Sequence, residues 1–323
     1  MLSNQIAISN IKMKTYQQFW QSLTPLYDAG EAQAIVRTVL DVEYGMTLTD
    51  IICGKVNELS SDEERNLEEI IARLQNGEPV QYVLGEADFA GRTFHVEPGV
   101  LIPRPETAEL CQWIEEDFAG KSTDSPEDSP LATDDAKQIL DICTGSGCIA
   151  ITLGLNIPNS EVTGWDISED ALRIAQGNVE MQKARNVRIE YQNALMLPKA
   201  AEATEISEAA EAESSLSKGW NIIVSNPPYI CEKEKADMEK NVLEHEPSIA
   251  LFVPDEDPLK FYRAIAEYAS SALKPEGALY FEINPIYEKE TREMLQSLGF
   301  KDIETKEDAF GKKRMMKAKN NKE

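Results

Sequence analysis

The sequence predicts an α/β protein whose larger part is a doubly wound, mostly parallel sheet, preceded by a small helical module and a β-hairpin connector. Three observations carry this. From Gln138 onward, short apolar runs alternate with helix-like stretches. The first run leads through a Gly-x-Gly turn into a helix, and the second ends on an acid. Ahead of them, residues from about Tyr16 to Asn76 show helical spacing with start and stop signals.

In the helical module, Leu23, Leu26, Ala34, Ile35, Val39 and Leu40 fall at roughly helical intervals, with a break or restart at Pro25. Ser60-Ser61-Asp62-Glu63 reads as a second start, Ile70, Ile71 and Leu74 as its apolar stripe, and Asn76-Gly77 as its stop. A first domain over 1–77 follows. Between Val80 and Val100 the pattern shortens and alternates, as in Arg92-Thr93-Phe94-His95-Val96, which predicts a β-hairpin connector over 78–107.

The second domain is expected over 108–323. Its candidate strands are Gln138–Cys143, Glu161–Asp166, Val187–Gln192, Asn221–Ser225, Ala278–Ile283, Lys301–Thr305 and Arg314–Lys319. Its candidate helices are Cys148–Leu155, Glu169–Lys183, Leu259–Leu273 and Tyr287–Leu298. Strands alternating with helices imply parallel pairing with helices on both faces. Two stretches interrupt the pattern. Residues 119–137 are rich in Ser, Asp and Pro, and 199–218 in Ala, Glu and Ser; both read as flexible surface insertions without chemistry of their own.

Composition narrows the function classes. Of the 323 residues, 42% are hydrophobic, ordinary for a folded domain, and no apolar run approaches a membrane span. The N-terminus lacks a basic start followed by an apolar core, so a secretory signal is not expected. The five cysteines (Cys53, Cys111, Cys143, Cys148 and Cys231) form no Cys-x-x-Cys pair, which fits reduced cytoplasmic thiols. With only two histidines, His95 and His245, far apart in the chain, no metal is expected. A net charge of −25 counts against a direct nucleic-acid substrate, since phosphate binding draws on a basic surface. The lysines of the C-terminal tail, Lys312, Lys313, Lys317, Lys319 and Lys322, read equally well as a solubilising end.

The cofactor signals begin at Cys143-Thr144-Gly145-Ser146-Gly147, between the first strand and the first helix. Gly145 and Gly147 permit a tight turn and a close backbone approach to a ligand. Asp166, about 20 residues further at the end of the second strand, is placed to accept the two hydroxyls of a ribose. It also reads as an acid preceding the helix that opens at Ser168-Glu169-Asp170. Asn193-Ala194, after the third strand, falls where an adenine would be contacted. A nicotinamide dinucleotide and S-adenosylmethionine both fit glycines plus acid.

What favours a methyl donor is the end of the fourth strand, Asn226-Pro227-Pro228-Tyr229. Both prolines lack an N–H and hold the chain stiff and extended. The Asn226 side-chain oxygen and the Pro227 carbonyl can each accept one hydrogen of a planar NH2 group, and Tyr229 can pack on its face. At the carboxyl edge of the same sheet, such an amine pocket faces the bound cofactor. Arg104, between two prolines in Leu101-Ile102-Pro103-Arg104-Pro105-Glu106-Thr107, reads either as an anchor for substrate or for the loop over the cofactor, or as half of a structural salt bridge.

From about Asn76 onward the chain resembles the bacterial release factor glutamine methyltransferases. The matching pieces are Gly77 to Gly85, Leu101 to Thr107, Asp141 to Gly147, Asp166, and Ser225 to Ile230. Glu246 to Leu251, Phe281-Glu282-Ile283 and Asp308-x-x-Gly311-x-x-Arg314 match further on. The resemblance implies a seven-stranded, Rossmann-like methyltransferase sheet. It implies S-adenosylmethionine as cofactor and S-adenosylhomocysteine as product. The implied substrate is the glutamine of a Gly-Gly-Gln motif in peptide chain release factors, recognised by the N-terminal helical domain. The catalytic set would be Asn226, Pro227, Pro228 and Tyr229, and the cofactor set Cys143, Thr144, Gly145, Ser146, Gly147, Asp166, Asn193, Ala194 and Asn226. Arg104 and Thr107 would anchor substrate or loop, and a cytoplasmic monomer is expected. Four departures stand out: Cys143 where the family commonly has Gly, Asn193 where Asp is usual, Asp255-Glu256-Asp257-Pro258 for a glycine-bearing loop, and Asn284-Pro285 for a Gly-rich turn. Rival readings are a ribosomal protein glutamine methyltransferase, an adenine-N6 nucleic-acid methyltransferase and a noncatalytic adenosyl-binding module.

Overall fold

The computed structural model describes residues 14–119, 136–198 and 219–321. The expected insertions at 119–137 and 199–218 lie outside the described residues, except that Ala119 closes a helix, Ala136 precedes a strand and Lys137 opens it; Lys322 also lies outside them. The chain divides into two compact units at Gly85/Glu86.

The first unit is helical. Thr15 caps the short α1 (Tyr16–Gln21), and the carboxylate of Asp28 caps α2 (Ala29–Tyr44), so the restart after Pro25 falls at Asp28. A short α3 (Leu48–Ile52) follows, and then α4 (Ser61–Gln75) opens on a reciprocal cap between Ser60 and Glu63. Phe19, Val36, Leu40, Leu67, Ile71 and Leu74 meet in its core. The unit runs past Gly77 because Val80–Leu84 forms another helix, α5, which buries Val83 in that core and ends on left-handed Gly85. That segment was expected to be part of the hairpin. Its Val, Tyr and Leu residues suit strand and helix alike, and packing decides.

The second unit starts with the expected hairpin, β1 (Glu86–Phe89) and β2 (Arg92–His95), paired antiparallel and closed by an edge-on Phe89–Phe94 contact. After α6 (Pro105–Ala119) come β3 (Lys137–Ile142), α7 (Cys148–Asn156), β4 (Ser160–Asp166), α8 (Glu169–Gln182), β5 (Val187–Tyr191) and β6 (Trp220–Ser225). Two-residue strands β7 (Ile230–Cys231) and β8 (Phe252–Val253) pair with each other, and β9 (Leu273–Glu282), β10 (Lys301–Glu307) and β11 (Lys313–Lys319) complete the large sheet.

The sheet has seven strands in the order β10-β11-β9-β6-β3-β4-β5. Strands β9, β6, β3, β4 and β5 are parallel, and β11 runs opposite to the other six, pairing antiparallel with both β9 and β10. Successive residues point to opposite faces. Ile139, Val224, Tyr280 and Met315 therefore join α6, α7 and α8 on one face. Leu140, Ile223, Phe281 and Met316 join the helices Lys260–Ala272 and Glu288–Ser297 on the other. Each face is a filled core, so the chemistry is pushed to the edge where the parallel strands end.

Candidate functional site

At that carboxyl edge the strand ends converge on a cavity of about 250 Å³. After β3 the chain turns sharply: Cys143, Gly145 and Gly147 have φ of 64°, 55° and 80°. A β-carbon on Gly145 would meet nothing within 4 Å, so this turn shows bare backbone to the cavity. Asp141 secures it from beneath, its Oδ2 accepting from the Thr144 hydroxyl at 2.6 Å and from the Ala150 N–H at 3.2 Å.

Asp166 lies at the end of β4. Its Oδ2 accepts the Gly145 N–H and its Oδ1 the Ser168 N–H, both at 2.9 Å. Ser168 is the N-cap of α8, and Asp166, two residues before it, accepts its N–H, so Asp166 borders the cavity and also stands ahead of the helix start. Burial raises the Asp166 carboxyl, and the backbone N–H groups oppose that rise. After β5, Asn193 accepts the Leu195 N–H at 2.9 Å and holds the loop that brings Asn193 and Ala194 to the cavity wall.

Asn226 follows β6. Its Nδ2 donates to the Thr107 hydroxyl oxygen at 3.2 Å, and Thr107 in turn donates to Glu282 at 2.6 Å. Among the described residues no hydrogen bond is made by Asn226 Oδ1, and Asn226 lines the cavity. Pro228 lines it too, whereas Pro227 and Tyr229 do not. The Tyr229 hydroxyl turns inward and donates to Glu282 at 2.9 Å. Burial and the Glu282 charge push that phenol well above its usual range.

Gly99, Val100, Leu101, Pro103 and Arg104 form a further part of the wall. The sequence left two roles open for Arg104, and the structure pairs it with Glu246, whose other oxygen accepts the Ile102 N–H at 3.1 Å. Arg104 and Thr107 both border the cavity. Of the remaining predicted residues, Cys143, Thr144, Gly145 and Ser146 line it and Gly147 does not. A β-carbon on Gly147 would stand 3.2 Å from Ala175, so this glycine serves the approach of α7 to α8.

Sequence reasoning missed three residues that hold these loops. Asn178, fully buried on α8, donates to the carbonyls of His95 and Ser146 and accepts the His95 N–H. Gly164 in β4 makes room for Thr144. Glu282 takes the hydroxyl protons of both Thr107 and Tyr229. A buried amide and a buried acid were visible as residue types, but not their partners.

The family model described as a methyltransferase domain matches residues 133–317. The chain is 44% identical over 298 residues to the release factor glutamine methyltransferase of Bacteroides thetaiotaomicron, covering 92% of this chain and 96% of that one. It belongs to the release factor glutamine methyltransferase family. Like-named proteins of Flavobacterium psychrophilum and Streptococcus pneumoniae are 37% and 36% identical over 306 residues, each match spanning 94% of this chain and 98% of the relative. The PrmC N-terminal domain model matches residues 23–85, the helical unit.

At the four positions that the sequence sets apart, the structure shows the local setting of each residue. Cys143 adopts the left-handed conformation that a glycine would take without strain. Asn193 ties its own loop. Asp257 binds Arg263 through two bonds of 3.0 Å, and Asp255 accepts the Lys233 N–H. Asn284, nearly fully buried, donates to the Tyr229 carbonyl at 3.2 Å, so the altered turn is joined to the tetrapeptide.

Proposed function

We propose that this protein transfers the methyl group of S-adenosylmethionine to the side-chain amide nitrogen of the glutamine in the Gly-Gly-Gln motif of peptide chain release factors. One observation carries the reading: the Asn226 carboxamide commits its N–H2 to Thr107 and leaves its oxygen to the cavity. A free acceptor there suits a substrate NH2, and membership of the family supports the rest.

The residues present fit the cofactor. Gly145 leaves open space where a side chain would stand, and each Asp166 oxygen spends one acceptor site on a backbone N–H and keeps another for a ribose hydroxyl. Cys143, Thr144, Ser146, Asn193 and Ala194 supply the remaining wall, with Gly147 setting the turn behind them. When bound, S-adenosylmethionine supplies an electrophilic methyl group.

The chain's own part is to make a poor nucleophile attack. An amide nitrogen holds its lone pair in resonance. Asn226 Oδ1 and the Pro227 carbonyl would take its two N–H bonds, aim the lone pair and stabilise positive charge developing on nitrogen. Pro228 stiffens the loop, and Tyr229, off the cavity, anchors it to Glu282. The proton leaves after transfer, since no general base faces Asn226 among its hydrogen-bond partners. Release factor recognition is assigned to the helical unit that ends at Gly85. The enzyme works as a cytoplasmic monomer, in keeping with a translation-factor substrate; among the described residues no helix is long and apolar enough to cross a membrane.

The test is methyl transfer from labelled S-adenosylmethionine to purified release factor, to a factor whose Gly-Gly-Gln glutamine is replaced, to ribosomal protein and to DNA. Label should enter the intact release factor alone. Asn226→Ala should lower kcat by about 100-fold or more and leave cofactor affinity nearly unchanged. Transfer to the glutamine-less factor or to DNA at a comparable rate refutes the assignment.

A further inference from the structure

The carboxamide of Asn226 has two ends of nearly the same shape, and only one orientation presents an acceptor to the substrate. The structure contains a device that chooses between them. Thr107, on the first turn of α6, and Glu282, the last residue of β9, are each 2% exposed and lie 175 positions apart in sequence. Arg314 supplies the starting polarity. A guanidinium has donors only, so its contact with the Tyr229 oxygen, at 3.4 Å, makes that oxygen an acceptor. Arg314 is itself held by Asp308 at 2.9 Å. The Tyr229 proton therefore goes to Glu282 Oε1, and Glu282 Oε2 receives the Thr107 proton. With its single proton spent, Thr107 can only accept from Asn226, and accepts from Nδ2. With Glu282 ionised, every bond in the chain has one permitted direction; burial raises that carboxyl, and the Thr107 and Tyr229 bonds and the Arg314 charge oppose the rise.

We propose that Thr107 and Glu282 are positioning residues that lock the Asn226 side chain with its oxygen toward the methyl-accepting amide. The inference rests on the function proposed above. An inverted Asn226 would set its own NH2 against the substrate's NH2, donor against donor. The relay excludes that state before substrate arrives, so the acceptor is preorganised.

Three variants test it. Thr107→Val removes the acceptor for Nδ2, and Glu282→Gln lets an amide NH2 face Thr107, freeing the Thr107 proton to turn toward Asn226 and invert it. Each should lower kcat by about tenfold, the value of one lost hydrogen bond, with KM and the S-adenosylmethionine Kd within about twofold. Thr107→Ser keeps the hydroxyl and should recover kcat to within about twofold of wild type. Added to Asn226→Ala, Thr107→Val should cost nothing further, because there is no carboxamide left to orient; a merely structural role would subtract again. Thermal unfolding identifies variants that do not fold, and if Thr107→Val is among them, Glu282→Gln and Thr107→Ser decide. Wild-type kcat in Glu282→Gln or Thr107→Val, a raised KM at unchanged kcat, or additive loss in the double variant overturns the positioning role. Those results leave the proposed function intact if Asn226→Ala is inactive. If Asn226→Ala is itself fully active, the catalytic role of Asn226 falls and the positioning role with it, whereas the function falls only if label fails to enter the Gly-Gly-Gln glutamine.

Discussion

Gly164 in β4 faces Thr144 so closely that an added β-carbon would stand 2.7 Å from the threonine hydroxyl oxygen and 3.1 Å from its Cβ. Thr144 has nowhere to retreat. Its hydroxyl is bonded to buried Asp141 and its N–H to the Trp165 carbonyl at 2.9 Å. Gly164→Ala should displace the 143–147 turn, weaken S-adenosylmethionine binding by about tenfold and cost about 1–3 kcal/mol of stability through overpacking. Calorimetric titration and urea unfolding measure the two effects. An unchanged Kd means the turn tolerates a shift there.

Cys143 carries a side chain at φ 64°, where L-residues pay about 1–2 kcal/mol. Its side chain also packs partly against the apolar core, so glycine would gain backbone ease and lose contact. Cys143→Gly should change stability by less than about 1 kcal/mol and keep cofactor affinity. Cys143→Val, β-branched at positive φ, should lose about 2 kcal/mol or more. Equal stability of the two variants in urea titrations contradicts this account of the turn.

Arg104, which lines the cavity, is paired with Glu246, which also accepts the Ile102 N–H. The Glu246 side chain is 1% exposed, and without Arg104 only the Ile102 N–H would answer its charge. Arg104→Ala should therefore harm more than Glu246→Gln, which removes the charge along with the partner's need for it. Expected for Arg104→Ala is a loss of about 1–3 kcal/mol and severalfold weaker cofactor binding, read from denaturation midpoints and binding isotherms. The reverse ranking would mean that Arg104 acts on substrate rather than on Glu246.

The large sheet was legible because its central strands carry apolar runs such as Ile139-Leu140 and Ile222-Ile223-Val224, and observed ends fall within one or two residues of most expected ones. Strand β9 is the exception. It begins at Leu273, which pairs with Trp220, and the turn residues Lys274-Pro275-Glu276-Gly277 then bulge out of the ladder before pairing resumes at Ala278 with Ile222. Pieces too short for any period stayed hidden: β7, β8 and the helices Lys240–His245 and Ser248–Leu251. At the site, Asn226, Asp166 and Gly145 could be found because their chemistry shows in a few adjacent residues. Thr107 was read only as an anchor, and Glu282 and Gly164 had no reading. Their roles are defined by partners distant in sequence, which one chain without its fold does not reveal.

Asp141 links the cofactor turn to pH. It is fully buried at the end of β3, and its Oδ1 has no hydrogen-bond partner among the described residues. Burial raises its carboxyl to about 7, with nearby Asp166 adding to the rise and the bonds from Thr144 and Ala150 opposing it. The half-buried thiol of Cys143 and the buried one of Cys148 also lie close, and desolvation pushes both upward, so they stay neutral. An unfolded aspartate titrates near 3.9. Between the two values the folded chain keeps a proton that the unfolded chain has released, so the folded state gains as pH falls. That contribution is complete below about 4 and is lost as pH rises through about 7. Asp141→Asn cannot titrate. Its stability relative to wild type should therefore improve from pH 5 to pH 8, by an amount on the order of a few kcal/mol at most. Urea unfolding of both proteins across that range gives the difference directly. Parallel curves would mean that Asp141 is ionised throughout, with its free oxygen satisfied by water.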